Sequence, residues 1–447
     1  MLSYPVRIAL IAALGGFLFG FETVVISGAE QTLEKLWNLN KWEQGFTVAS
    51  SLFGTILGSL LAGFPAKRYG RKKSLQVIAV FFIVAALGCA FTSLWGFFIC
   101  FRIIGGLAVG ASSVIAPMYI SEISPAGLRG RLAGSFQVMI VTGIVVAFVT
   151  NYLFNQLQLA DSWRWMLGVM VVPAVLFSLL LFAIPESPRW LILENNEGAA
   201  KPILQRLGEV NIAAAITSIR ESVKEHQEKL FQRRYSKPII CAMLLAMFNQ
   251  LSGINAILYY APRIFQMAGY DKTQSFSQSI FIGVANLVST LLAMTVIDKF
   301  GRKTLMIIGS LGMIVFLALV AGTFAPHSTG GNHLLLYLIG FIVFFAFSQG
   351  AVIWVFISEI FPNSVRSQGG SLGSTTHWVM AAIITTVVPS ILETRIGNET
   401  VVNKEGGQWS FIFFAVMMLL QLLFVWRVMP ETKGKSLEQI QKDLGIA

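Results

Sequence analysis

The sequence carries little charge for its length. Only 12% of its 447 residues are Asp, Glu, Lys or Arg, whereas 55% are hydrophobic and the mean hydropathy is +0.70. Soluble domains carry about 25% charged residues. A chain this apolar has too few polar side chains to cover a surface in water, so its expected partner is a lipid bilayer.

Cysteine is also scarce, and no pattern typical of enzyme chemistry is present. Cys89, Cys100 and Cys241 each lie in an apolar stretch without metal-ligand spacing. We therefore expect neither a disulfide nor a metal site. The sequence has no phosphate loop and no nucleophile–base arrangement, so we predict neither an enzyme nor a bound cofactor.

Long apolar runs alternate with short polar links along the chain. Each run is long enough to cross a membrane as a helix of about 20 residues. The predicted spans are residues 6–28, 44–66, 75–94, 97–121, 131–155, 163–184, 238–262, 276–297, 304–325, 334–358, 367–392 and 409–429. This pattern predicts an all-α membrane protein with twelve transmembrane helices.

The polar stretch in the middle of the chain divides the spans into six and six. We predict an N-terminal six-helix bundle over 1–190, a cytoplasmic helical linker over 191–236, a C-terminal six-helix bundle over 237–430 and a short cytoplasmic tail over 431–447.

The net charge of +11 raises nucleic acid as a possible partner. The basic residues, however, cluster at the ends of spans, which is the pattern of cytoplasmic loops. They are Lys67, Arg68, Arg71, Lys72 and Lys73 after the second span, Arg129 and Arg131 after the fourth, and Arg302 and Lys303 after the eighth. We therefore predict cytoplasmic termini and no nucleic-acid partner.

Three motifs occur once in each half of the chain. The pairs are Glu122-Ile-Ser-Pro125-x3-Arg129 with Glu359-Ile-Phe-Pro362-x3-Arg366, Tyr69-Gly70-Arg71-Lys72 with Phe300-Gly301-Arg302-Lys303, and Pro185-Glu186-Ser187 with Pro430-Glu431-Thr432. Basic clusters alone could be topology signals, but topology does not explain the repeated glutamates. The repeat predicts two related halves with a transport site between them near the bilayer midplane.

Five motifs in order resemble those of the sugar porter family of the major facilitator superfamily. They are Arg68-x-Gly70-Arg71-Lys72, Pro185-Glu186-Ser187-Pro188-Arg189, Gln250-Leu-Ser-Gly253-Ile-Asn255, Glu359-Ile-Phe-Pro362-x3-Arg366 and Pro430-Glu431-Thr432-Lys433-Gly434. The chain is similar to bacterial D-xylose–proton symporters and, more distantly, to animal glucose facilitators. The resemblance implies the major facilitator fold, with pseudo-twofold repeats, and transport by alternating access.

Several spans contain amide and aromatic side chains, which suit a sugar. Amides both donate and accept hydrogen bonds, as hydroxyls do, and aromatic rings pack against the apolar faces of a sugar ring. A buried amide can equally join two helices. By resemblance, the sugar-contacting positions are Phe19, Gln137, Asn249, Gln250, Asn255, Tyr260, Asn286, Gly350, Trp354, His377 and Trp378. Gly253, between two of the amides, permits local unwinding.

This sequence departs from the family at four places in the spans that carry these positions. Asn249 stands where most relatives have Gln, Ile144 is apolar where some xylose porters have Gln, and His377 replaces an amide. The prolines usual before Trp354 are missing, so we expect the tenth span to bend less. These departures leave the choice between a pentose and a hexose open.

Glu22 and Arg102 are charges inside apolar spans. At about 1.5 Å per residue, Glu22 lies about 24 Å and Arg102 about 23 Å from the inner face. Because an unpaired charge there is costly, we expect an ion pair. If alternating access separates the pair, Glu22 can take up a proton and release it on re-pairing, which predicts proton coupling. A purely structural ion pair is the alternative.

A set of charges lies at the predicted inner ends of spans, where they can form interhelical ion pairs. We predict a cytoplasmic latch made of Arg71, Glu122, Arg129, Glu186, Arg189, Asp298, Arg302, Glu359, Arg366 and Glu431. A network of such pairs can bias a two-state equilibrium, although each exposed pair contributes only about 0–1 kcal/mol.

These observations favour a proton-coupled importer of a monosaccharide, pentose or hexose, in a bacterial inner membrane. A sugar uniporter of the same fold is the main alternative, and a non-transporting sugar sensor is an alternative of another class. The expected partners are the sugar, the proton and the lipid bilayer, and the expected active unit is a monomer.

Overall fold

A computed structural model describes residues 3–125, 127–209, 211–221, 228–325, 331–362, 364–396, 399–435, 439–440 and 446. The side chains of residues 298, 393–396 and 399–402 lie outside this description.

The described part of the chain is almost entirely helical. Its α-helices in the first half are α1 Tyr4–Val25, α2 Glu30–Leu36, α3 Lys41–Leu61, α4 Gly63–Tyr69, α5 Arg71–Phe91, α6 Trp95–Ile123, α7 Arg129–Gln156, α8 Ser162–Gly168, α9 Val171–Leu180, α10 Pro188–Leu193, α11 Glu197–Arg206 and α12 Ile212–Glu221. Those in the second half are α13 Ser236–Leu251, α14 Ile254–Tyr259, α15 Ala261–Met267, α16 Lys272–Phe300, α17 Arg302–Thr323, α18 Leu334–Phe345, α19 Ala351–Ile360, α20 Arg366–Leu392 and α21 Lys404–Arg427.

Short irregular turns extend some of these helices. There are 3₁₀ turns at Ile26–Gly28, Leu181–Ala183 and Arg233–Tyr235, and a π-helical segment at Ala346–Gly350. The π segment joins α18 to α19, so that the two helices form one long span.

Twelve helical stretches of the described residues are long and apolar enough to cross a membrane, which confirms the predicted number. They are Tyr4–Gly28, Lys41–Leu61, Arg71–Phe91, Trp95–Ile123, Arg129–Gln156, Ser162–Ala183, Arg233–Tyr259, Lys272–Ile297, Arg302–Thr323, Leu334–Ile360, Arg366–Leu392 and Lys404–Arg427. We number the spans in this order.

The chain forms two compact units that do not follow the chain order. Unit 1 comprises 1–23, 51–147 and 164–227, and unit 2 comprises 24–50, 148–163 and 228–447. Within unit 2, parts of the first, second and fifth spans therefore pack with the six spans of the second half. The bundle boundaries at 190 and 236 stay predictions from the repeat.

The core of unit 2 is built by apolar side chains from four spans. Ala242 and Leu245 on α13 pack in one cluster with Met306 on α17, Phe356 on α19 and Val425 on α21. These residues are at most 2% exposed. The packing fixes the helices that carry Asn249, Gln250 and Trp354.

A β-hairpin that the sequence reading missed lies between the last two spans. Strands β1 Glu393–Ile396 and β2 Glu399–Val402 pair antiparallel, with Thr394 opposite Val401. The segment is rich in Thr, Val and Ile, which favour strands. The sequence pattern does not predict the hairpin, because the segment is too short to stand out beside the apolar runs that flank it.

Candidate functional site

The seventh span is broken in the middle, next to the predicted amides. Helix α13 ends at Leu251, and α14 begins at Ile254. Between them Gly253 has φ +85°, a left-handed conformation that costs a residue with a Cβ about 1–2 kcal/mol. A Cβ at this position would also lie 2.5 Å from the Phe414 ring. The structure thus contains the local unwinding expected at Gly253, and it places Gln250 and Asn255 on either side of the break.

The amides around the break are hydrogen-bonded to each other. Asn255 donates from Nδ2 to Oε1 of Gln250 over 2.8 Å, and Gln250 donates from Nε2 to Oδ1 of Asn249 over 2.9 Å. The same Nε2 lies 3.1 Å from Nε2 of His377 on α20. All four residues are buried, so their hydrogen bonds form at low dielectric, where each is electrostatically strong.

An aromatic group lies against this amide set. The His377 ring is 5.0 Å from that of Trp354 and 4.8 Å from that of Trp378, the second at an interplanar angle of 89°. Trp354 is 40% exposed, whereas His377 and Trp378 are buried. Trp354 is therefore the ring of this group that remains available to contact a ligand.

The other predicted sugar residues lie outside this contact network. Tyr260 is fully buried and donates its hydroxyl to the carbonyl of Thr385 over 2.9 Å. Asn286 is buried on α16, and Gly350 ends the π segment. Phe19 on α1 and Gln137 on α7 belong to unit 1, whereas the nine other predicted residues belong to unit 2.

The tenth span is irregular although it lacks the family's prolines. Its π segment, Ala346–Gly350, widens the helix immediately before the helix that carries Trp354. Single π turns often occur at functional sites. Here the irregularity arises from an extra residue in the helical turn. The absence of prolines gave no reason to expect it.

The expected ion pair is present in unit 1. Nη1 of Arg102 donates to Oε1 of Glu22, and the Ser51 hydroxyl lies 3.4 Å from the same oxygen. The side chains are 1% and 5% exposed. Nε and Nη2 of Arg102 are buried with no acceptor among the described residues. The pair is thus desolvated and incompletely satisfied, which favours a site that can rearrange.

In unit 1, three residues of the predicted latch, Arg71, Glu122 and Glu186, belong to one hydrogen-bonded network. Arg71 binds Glu122 through Nε and Nη2, over 2.9 and 2.8 Å. Glu186 accepts the backbone N–H groups of Arg71 and Lys72 at the start of α5, over 2.8 and 3.0 Å. The Ser187 hydroxyl donates to Glu122 over 2.5 Å.

Unit 2 repeats this arrangement at the matching motif positions. Arg302 binds Glu359 over 2.8 Å, Thr432 donates to Glu359 over 2.5 Å, and Glu431 accepts the N–H groups of Arg302 and Lys303 over 3.0 Å each. Although burial acts to raise the pKa of Glu431, the backbone donors, which include Lys433, hold that pKa below its usual value. The sequence repeat is therefore also a repeat of contacts, and each named contact lies within one unit.

The remaining latch residues are placed differently. Arg129 is exposed, and Arg366 donates to the carbonyl of Phe361 over 3.4 Å. Arg189 is half-buried in α10. The side chain of Asp298 lies outside the described residues. The role of the set as a latch stays a prediction.

Sequence reasoning missed a buried ionic cluster in unit 2. Arg263 on α15 binds both oxygens of Glu30, over 2.9 and 2.6 Å, and Glu34 over 2.8 Å. Gln44 donates to Glu30 and Glu34 over 2.9 and 3.1 Å. Burial raises the pKa of Glu30, against the opposing effect of Arg263. The available signal is a pair of glutamates one helical turn apart, directly after the first span.

Comparison with known proteins identifies the family. The model of the family described as "Sugar (and other) transporter" matches residues 8–444. The chain belongs to this family. Membership of a transporter family confirms the prediction that the protein is not an enzyme.

Named relatives match nearly the whole chain. The D-xylose-proton symporter of Escherichia coli (strain K12) is 36% identical, with 98% of this chain and 95% of the relative covered. The arabinose-proton symporter of Bacillus subtilis (strain 168) is 35% identical, with 99% and 95% covered. The inward open conformation of the xylose transporter XylE from E. coli matches with a TM-score of 0.85 and 34% identity, over 98% of this chain and 99% of that one. The predicted sugar-porter resemblance and the major facilitator fold are confirmed.

Proposed function

We propose that this protein imports a monosaccharide together with a proton, by alternating access, across the inner membrane of a bacterium. The observation that carries the proposal is the buried Glu22–Arg102 pair in a chain of a sugar transporter family. Relatives named as sugar–proton symporters support the same assignment.

In this proposal the amides of unit 2 bind the sugar. Asn249, Gln250 and Asn255 exchange hydrogen bonds with its hydroxyls, and Trp354 packs against an apolar face of its ring. Phe19 and Gln137, which belong to unit 1, stay predicted sugar-contacting residues. The alternation exposes this site to each side of the membrane in turn.

Glu22 carries the proton. When Arg102 moves away, the carboxylate loses its counter-charge and takes up one proton from the outer side. When Arg102 returns, its positive charge favours the carboxylate, which then releases the proton to the inner side. One proton moves inward for each complete cycle, and no covalent bond to the sugar is made or broken.

Transport by purified protein in proteoliposomes tests the proposal. We expect counterflow of at least one of D-xylose, L-arabinose and D-glucose, and accumulation of that sugar only under an inward proton gradient. Glu22→Gln should abolish accumulation but retain counterflow, whereas Glu194→Gln, which removes an exposed glutamate, should behave as wild type. Accumulation that persists in Glu22→Gln contradicts the role of Glu22. Counterflow without any response to the gradient indicates a uniporter, and no counterflow of any sugar indicates a sensor.

We also propose that both termini face the cytoplasm and that the monomer is the active unit. The clusters of Lys and Arg at span ends support the orientation. A Ser3→Cys variant in which Cys89, Cys100 and Cys241 are replaced by Ala should be protected from a membrane-impermeant thiol reagent in intact cells. Labelling from outside contradicts the orientation. If transport is lost in liposomes that each contain a single protein molecule, the monomer is not the active unit.

A further inference from the structure

A buried chain of hydrogen bonds joins Asn249 of the proposed sugar site to three residues to which no role has yet been given. It runs from Ser310 on α17 through Gln421 on α21 and Gln349 in the π segment to Asn249 on α13. Ser310, Gln421 and Gln349 are 0% exposed. Buried amides in an apolar bundle are costly unless their hydrogen bonds are satisfied, so this chain needs an explanation.

The hydroxyl of Ser310 sets the direction of the chain. It donates to the carbonyl of Met306 over 2.7 Å, so its oxygen can only accept when Nε2 of Gln421 approaches to 2.8 Å. Because Gln421 uses its nitrogen there, its oxygen accepts from Nε2 of Gln349. The oxygen of Gln349 then accepts from Nδ2 of Asn249 over 3.2 Å. Reversing any one amide would place two donors or two acceptors face to face.

The same direction continues into the proposed sugar site. Asn249 accepts from Gln250 over 2.9 Å, and Gln250 accepts from Asn255 over 2.8 Å. Asn255 is the most exposed of these residues, at 9%. Its Nδ2 gives one N–H to Gln250, whereas its Oδ1 has no hydrogen-bond partner among the described residues, so this oxygen is free to accept a hydrogen bond.

We propose that Ser310, Gln421 and Gln349 are positioning residues that fix the orientation of the site amides, so that Asn255 accepts a hydrogen bond from one sugar hydroxyl. This inference rests on the proposed function. Hydrogen bonds in a chain at low dielectric strengthen one another, so the anchor at Ser310 acts at a distance. The π segment contributes by supplying Gln349 as the link between the twelfth and seventh spans.

Analogues of the sugar distinguish an acceptor from a donor at Asn255. A deoxy analogue lacks the hydroxyl, and a deoxyfluoro analogue lacks only its ability to donate. At one ring position we expect both analogues of D-xylose or D-glucose to compete for transport about 10-fold less well than the parent sugar. Asn255→Ala should remove this discrimination at that position and leave the other positions unchanged.

Variants in the anchor test the positioning role. Ser310→Ala and Gln421→Leu should reduce the discrimination from about 10-fold to less than about 3-fold and raise the KM of the parent sugar, with a smaller effect on maximal rate. Ser310→Thr should retain the discrimination because it keeps a hydroxyl. Ser279→Ala is the matched control, since Ser279 is equally buried and its hydroxyl also bonds the carbonyl four residues earlier.

The outcomes separate this inference from the function on which it rests. If Ser310→Ala and Gln421→Leu lower the thermal stability but keep the 10-fold discrimination, the polar chain only joins helices and the inference is overturned. Full discrimination in a folded Ser310→Ala protein overturns it even if Gln421→Leu does not fold. If wild-type protein transports none of the parent sugars, the proposed function fails instead.

Discussion

Single residues at the break in the seventh span determine where the amides lie. Gly253 has a left-handed backbone conformation, and the Phe414 ring lies directly against the place where a Cβ would be. Gln250 and Asn255 form a hydrogen bond across this break. A continuous helix would place the two side chains in a different relative position. The geometry of the amide set therefore depends on a residue that makes no hydrogen bond to it through a side chain.

We predict that Gly253→Ala destabilises the protein and weakens sugar transport. The backbone strain costs about 1–2 kcal/mol, and displacement of the Phe414 ring adds to it. Gly322→Ala is the control, because Gly322 lies within α17 with no atom near a Cβ, and this change should stabilise the helix by about 0.5–1 kcal/mol. Thermal unfolding in detergent measures both, and a Gly253→Ala midpoint at or above that of wild type contradicts the prediction.

A second prediction for a single residue concerns Glu431 and the pH dependence of stability. Its folded-state pKa is lowered, so its contribution to stability is present above the unfolded value near 4.5 and is lost as the pH falls through the folded value. Glu431→Gln should therefore have a lower unfolding midpoint than wild type at pH 7, and the difference should shrink in acid. Glu194→Gln should show no such difference, and a gap that widens in acid would rule out this account of Glu431.

At the scale of elements, the ionic cluster ties α2 and α3 to α15 within unit 2. Arg263 is the cation for two buried glutamates, so its loss leaves two carboxylates close together without a counter-charge. Gln44 donates to both carboxylates but carries no charge, so it does not compensate.

We predict that Arg263→Met lowers the free energy of unfolding by about 3–5 kcal/mol at neutral pH. The loss should be smaller near pH 4, because burial raises the pKa of Glu30, and a protonated Glu30 no longer repels the neighbouring carboxylate. Lys272→Met, at the exposed start of α16, is the control and should change stability little. Unfolding midpoints at the two pH values measure the effect. A loss of the same size at both would show that the arginine acts through packing alone.

At the scale of the whole molecule, the proposed coupling and binding residues belong to different units. Glu22 and Arg102 are in unit 1, whereas Gln250 and Asn255 are in unit 2. Substitutions in the two groups should therefore impair different activities: sugar binding in one case and proton coupling in the other.

We predict that Gln250→Leu weakens sugar counterflow and proton-driven accumulation together, by about 10-fold or more, because it removes hydrogen bonds to both Asn249 and Asn255. Glu22→Gln should separate the two activities. Gln205→Leu, an exposed amide on α11, is the control for the first change. If Gln250→Leu lost accumulation but kept counterflow, the amide would belong to coupling and not to binding.

The sequence by itself determined the membrane class, the twelve spans, the family and the repeated motifs. These follow from properties that are local along the chain, such as apolar runs of about 20 residues and short motifs with fixed spacing. The break at Gly253 was also visible, because glycine between polar residues of a span permits unwinding. The Glu22–Arg102 pair was predictable because a charge in an apolar helix demands a partner, and few partners at that depth exist.

Only the tertiary structure decided which polar groups meet across distant parts of the chain. Arg263 meets Glu30 and Glu34, and Gln421 meets Gln349 and Ser310, through contacts that join helices far apart in sequence. Gln421, an amide within an apolar span, was a visible signal without an identifiable partner. A hydrogen bond depends on the position and direction of both partners, and the packing of helices sets these. The order of donors and acceptors along these amides therefore depends on the fold and cannot be deduced from any single segment of the sequence.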